Sequence, residues 1–105
     1  MTTLVIHASL EMAEQQGKRS FDQTLAVGVG DAYALSQSQF QQVSPGDRLL
    51  MLEKETRRCA EGMVAGLQPN GWTLNGMQRY DVLMQDMVIV PYQNVPLKRW
   101  GVAVI

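Results

Sequence analysis

The longest coherent pattern of apolar and polar positions runs from Val43 to Leu67, VSPGDRLLMLEKETRRCAEGMVAGL. A Pro-Gly pair followed by Asp47 sets a turn, and Leu49–Leu52 is continuously apolar. Glu53–Arg58 is polar and doubly basic, and Met63–Leu67 is apolar again. Two apolar runs around a polar tip predict a β-hairpin against which the other strands pack. In its second arm Cys59, Glu61, Met63, Ala65 and Leu67 share one face, while Ala60, Gly62, Val64 and Gly66 share the other. The second set is nearly all small, so a helix, a strand or a ligand comes close there.

The β-rich stretch Thr2–Ile6 predicts a first strand. Ser9 then caps a short helix over Leu10–Gln16, with Glu11 and Glu14 in its first turns and Gly17 as its stop. Phe21–Gly30 contains a second strand, Thr24–Val29, in which Gly28 and Gly30 mark a bulge or a close backbone approach. Asp31–Gln42 reads as helical turns, with Tyr33, Leu35 and Phe40 as a loose apolar stripe. Beyond the hairpin, residues 68–71 (QPNG) form a turn, Trp72–Leu74 a short strand, and Asn75-Gly76 a second turn signal. Tyr80–Met84 and Met87–Val90 are strand-like, and Gln85-Asp86 between them is a hairpin turn or a bulge in one long strand. Lys98–Ile105 closes the chain as an apolar strand, paired in the sheet or in a subunit interface, with Trp100 at least partly buried. Six or seven strands and one or two short helices make a single β-rich α+β domain over residues 1–105. Its sheet is expected to be mixed or antiparallel and to close partly into a barrel.

Composition narrows the function classes. A net charge of −1 argues against broad electrostatic attraction to nucleic acid or acidic membranes. The single cysteine, Cys59, excludes an internal disulfide, and no Cys/His set suits a structural zinc. No leader and no apolar run of roughly 20 residues is visible, so a cytoplasmic protein with no membrane partner is expected. Seven methionines suit irregular cores and adaptable surfaces alike. His7, just past the first strand, is the only imidazole. Cys59 follows Arg57 and Arg58, which could favour a thiolate, although a free cysteine packs well as a small hydrophobe. Gly28-Val29-Gly30 leads into Asp31 rather than a third glycine, so the dinucleotide fingerprint is absent. These residues assemble no catalytic set and require no cofactor or metal.

Cations beside aromatics are the stronger signal. Arg57-Arg58, Arg79-Tyr80 and Lys98-Arg99-Trp100 each combine positive charge with a loop position, and two of the three add an aromatic. Arginine forks hold phosphates or carboxylates, and Tyr or Trp offers a stacking face to a base. The opposing reading is solvated loop charge neutralised by Glu53, Glu55 and Asp81.

Three pieces carry a resemblance: the opening TLVIHAS, the short helical YALSQSQF, and PGDRLLMLEKETRRCAEGMVAG with its Gly-Asp turn, apolar strand, variable tip and A-x-G-x-V-like return. Together they cover about half the chain and resemble the PUA-like superfamily, including its ASCH and EVE branches. The resemblance implies a small pseudobarrel with a cleft beside the first helices, used in relatives to hold RNA or a modified base. The aromatic cage of base-reading relatives has no clear counterpart, with Tyr33, Trp72, Tyr80 and Trp100 as candidates. The expected function is therefore a non-enzymatic binding module. It would recognise RNA, a nucleotide or a modified base through Arg57, Arg58, Arg79, Tyr80 and Trp100, with His7 and Tyr33 beside them. The alternative is a homodimeric structural or interaction protein, similar to small β-rich accessory proteins of mobile elements, motivated by the methionines and the apolar terminus GVAVI. An enzyme using His7 or Cys59 ranks last.

Overall fold

The computed structural model describes residues 2–74, 77–97 and 101–105, with backbone alone for residues 16 and 72–74. The chain runs β1 (Thr3–His7), α1 (Leu10–Gln16), α2 (Phe21–Val27), β2 (Val29–Ala34), α3 (Gln37–Gln42), β3 (Arg48–Glu53), β4 (Arg58–Leu74), β5 (Met77–Val90) and β6 (Val102–Val104). All six strands form one sheet in the order β2-β5-β4-β3-β1-β6. Among the described residues only the β1–β3 pair is parallel, so the sheet is mixed. It curls into a half-barrel. Tyr33 demonstrates the curl: from β2, at one edge, its hydroxyl donates to the carbonyl of His7 in β1 at 3.2 Å.

The central hairpin forms as its pattern predicts, in unbroken register from Arg48↔Met63 to Glu53↔Arg58. Leu49–Leu52 is apolar at every position because both faces of β3 are covered. Leu49 and Met51 enter the larger core with Leu4, Ile6, Phe21, Tyr33, Ala60, Val64 and Val82. Leu50 and Leu52 enter a smaller cluster on the opposite face with Val5 and Cys59, beneath Val90, Tyr92, Val95 and Leu97. Each buried aliphatic side chain contributes roughly 1.5–3 kcal/mol.

On the small-residue face of β4, Ala60 and Val64 enter the larger core, and Gly62 meets backbone. A Cβ on Gly62 would lie 2.7 Å from the Gln85 carbonyl oxygen and 2.9 Å from that of Asp86. There β5 bulges, with Asp86 at φ 56° and a register shift opposite Glu61–Met63. The Gln85-Asp86 pair is therefore a bulge in one long strand. A second shift, between Val64 and Gly66, ends the strict alternation read from the sequence and turns Leu67 onto the larger core.

Three sequence expectations are corrected. Thr24–Val29 is not a strand: Phe21–Val27 is helical, and β2 begins at Val29. Ser20 and Gln23 form a capping box and Gly28 (φ 78°) closes the helix, and these end signals outweigh the β-like composition of TLAV. The helical turns expected over Asp31–Gln42 are confined to α3, because Tyr33 and Ala34 pair with Tyr80 and Arg79 of β5. Residues 68–71 do not turn the chain but continue β4, where an irregularity between Pro69 and Thr73 and Gly71 at φ 84° absorb the turn-forming residues. Trp72–Leu74 is accordingly the end of β4 rather than a strand of its own. α1 is as expected, with Ser9 Oγ accepting from the Met12 amide at 3.3 Å and Gly17 left-handed. The terminal strand pairs antiparallel with β1, burying Val102, while the Ile105 side chain is exposed.

Candidate functional site

Polar side chains gather where β1 and β3 end, β4 begins, and α1 and α2 start. The turn from Lys54 to Arg57 projects Glu53, Glu55, Thr56 and Arg58 toward residues brought by other elements. Glu53, the last residue of β3, is polar where the strand is otherwise apolar, and its side chain is 2% exposed. Its Oε1 accepts from the Thr56 hydroxyl and from Arg58 Nε at 3.3 Å and Nη2 at 3.2 Å. Its Oε2 is buried without a partner among the described residues. A buried carboxylate needs such compensation, because an unpaired charge in low dielectric is costly.

Arg58 is fixed on three sides. Glu53 holds it from behind, the Phe21 ring lies 4.6 Å beneath the guanidinium carbon, and Asp22 faces it with both oxygens, at 2.9 and 3.1 Å. Phe21 and Asp22 are successive residues of α2, so one helical turn supplies both the ring and the carboxylate. The hydrogen bonds from Arg58 hold the Asp22 carboxyl below its ordinary range, and those to Asp22 raise Arg58 above its own.

Beside this group, Glu55 ties the turn to α1. Burial alone would raise its carboxyl, but bonds from its own amide, the Ser9 hydroxyl (2.9 Å), the Glu11 amide (3.4 Å) and His7 outweigh burial and bring it to about 2. His7 Nε2 lies 3.1 Å from Glu55 Oε1 and 3.2 Å from the Lys54 amide nitrogen. That nitrogen can donate to the carboxylate or accept from the amide, not both at once.

The other expected site residues are distributed as follows. Arg57 turns away, its guanidinium 5.5 Å over the Tyr92 ring. Arg79 donates to the Ala32 carbonyl at 2.9 Å, and Tyr80 is buried, stacked on Phe40 with ring centroids 4.6 Å apart. Tyr33 joins the two regions, pairing with Tyr80 in the ladder while its hydroxyl reaches His7. Burial pushes the Tyr33 hydroxyl far up, so it stays a donor. Trp100, with Lys98 and Arg99, lies outside the described residues, and so do Asn75 and Gly76; the side chain of Trp72 does too. Cys59 is fully buried and its thiol is pushed up by burial, against the thiolate that the neighbouring arginines suggested. Of the neutralising acids, Glu53 and Glu55 act within the turn, whereas Asp81 accepts from the Ala32 amide and Asn70 instead of Arg79.

Asp22, Phe21 and Thr56 were not legible as site residues. The available signal was Ser20-x-x-Gln23, which places Asp22 in a first helical turn. Farther along β4 an open recess of about 250 Å³ is lined by Phe40, Val43, Pro45, Val64, Gly66 and Leu67. Among the described residues no cluster of three or more His, Cys, Asp or Glu side chains could hold a metal ion, and no helix is long and apolar enough to cross a membrane. No family model, curated protein or solved structure matches the chain.

Proposed function

We propose that the chain is a non-enzymatic binding module of the PUA-like kind that recognises a nucleotide, a modified base or RNA at the Glu53–Arg58 end of the half-barrel. One observation carries the reading: a guanidinium held from behind by a buried carboxylate and set over an aromatic ring presents its fork outward, to the exposed carboxylate of Asp22. An arginine held this way loses little freedom when it meets a planar oxyanion, which favours recognition. Lys54 on the same turn adds positive charge. Reporter resonances of the Arg58 side chain and the turn amides, followed while nucleotides and single-stranded RNA are added at low ionic strength, test the reading. Saturable shifts that weaken with added salt are expected; no shift with any of these ligands overturns it.

A specific observation also favours the homodimer reading. β2 pairs with β5 only from Leu83 to Arg79, so beyond Met84 the outer edge of β5 carries no strand among the described residues. Val88 and Ile89 there are 59% and 62% exposed, and an apolar open edge is a template for pairing with another chain. Sedimentation at micromolar concentration decides: a dimer dispersed by Ile89→Lys supports pairing, and a monomer removes it.

A further inference from the structure

We infer that Asp22 is an internal stand-in for the ligand's oxyanion, occupying the Arg58 fork until a phosphate group displaces it. The inference rests on the binding reading above and adds the ligand's chemical class and the group it must displace.

The two carboxylates on Arg58 are unequal. Glu53 is 2% exposed, whereas Asp22 is 73% exposed and buries little. Exposed ion pairs are weak, because water and salt screen them and two side chains must be ordered. Yet the Asp22 geometry is the two-pronged fork-to-oxyanion arrangement that phosphate also satisfies. A strong recognition geometry is thus closed by a partner that is easily exchanged. Exchange also leaves α2 intact, because its end is capped by Ser20 and Gln23 and does not depend on Asp22. The rear of the fork has its own holders, since Glu53 and Phe21 contact Arg58 independently of Asp22.

The experiment titrates AMP, GMP, CMP, UMP, their nucleosides and inorganic phosphate into the wild-type chain, Asp22→Asn, Asp22→Ser and Arg58→Lys at low ionic strength, reading Kd from amide and arginine resonances. Both Asp22 variants should tighten monophosphate binding about threefold or more, the scale of removing one exposed ion-pair competitor. Nucleoside binding should not change, and Arg58→Lys should lose the monophosphate preference, because an ammonium cannot reproduce the fork. Monophosphate affinity unchanged or weakened in both Asp22 variants, with wild-type binding still dependent on Arg58, overturns the exchange and leaves the binding reading standing. Equal gains for inorganic phosphate and all monophosphates support the exchange and overturn nucleotide recognition. No binding of any probe to any variant overturns both.

Discussion

The arms and the tip of the central hairpin are adjacent in sequence and opposite in physics. Leu49–Leu52 with Cys59, Ala60 and Val64 are held by burial on two faces, and Arg48–Glu53 pairs with Arg58–Met63 in an unbroken ladder. Residues 53–58 bury one carboxylate and otherwise rely on directional bonds to β1, α1 and α2. Burial is non-directional and tolerates conservative exchange, whereas a fork facing two carboxylates does not. Burial is therefore concentrated in the arms and directional polar contact at the tip, and the two can be perturbed separately.

The arms should show the largest effects. Leu49→Ala removes a fully buried side chain from the larger core and should cost about 3–4 kcal/mol in chemical denaturation. A cost below about 1 kcal/mol would mean that the arms do not carry the fold. Gly62→Ala should cost roughly 1–3 kcal/mol, because its Cβ meets the carbonyls of the β5 bulge, which cannot rotate away as a side chain would. A neutral Gly62→Ala would show that the bulge yields.

This contrast also explains what the sequence made legible. The arms were readable because apolar runs, a Gly-Asp turn and a polar tip are local patterns. α1 was readable because Ser9 and Gly17 mark its ends. α2 was missed because Thr24–Val27 looks like a strand when composition is weighed above the capping signals at Ser20, Gln23 and Gly28. That error hid the tip: Asp22 meets Arg58 across 36 residues of chain, a pairing that no local pattern encodes. Arg58 itself was legible as half of a basic pair, but its separation from Arg57 was not. A left-handed backbone at Arg57 (φ 57°) points the neighbours to different partners, Tyr92 and Asp22. The terminal strand was legible from its apolar run, and the curl that lets Tyr33 reach His7 was not, since it arises from the whole sheet.

At the tip, Arg58→Met should destabilise by about 2 kcal/mol. The loss arises less from the exposed pair with Asp22 than from leaving Glu53 buried beside an apolar group. Adding Glu53→Gln should recover much of that cost, because the uncompensated charge is then gone. A double-mutant cycle separates the two contributions. Additive losses would place Glu53 and Arg58 in independent roles and break the claim that the fork is anchored from behind.

Glu55 gives the smallest and most directional effect. Its carboxyl titrates near 2 in the folded chain against about 4.5 for an ordinary glutamate, so the folded state favours its ionised form. A depressed carboxyl contributes stability that is complete above the unfolded value. That contribution declines as pH falls from roughly 4.5 through 2 and is lost only below it, where both states are protonated. The full shift would correspond to roughly 3 kcal/mol. Glu55 is 33% exposed, however, and screening reduces this to about 1 kcal/mol. Urea unfolding at pH 5 and at pH 2.5 should therefore show the wild-type chain losing about 1 kcal/mol more than Glu55→Gln, which still offers an oxygen to Ser9 but has no charge to lose. Equal losses in the two proteins would mean that the bonds from Ser9, Glu11 and His7 do not hold the turn, and the tip would then be fixed by Arg58 alone.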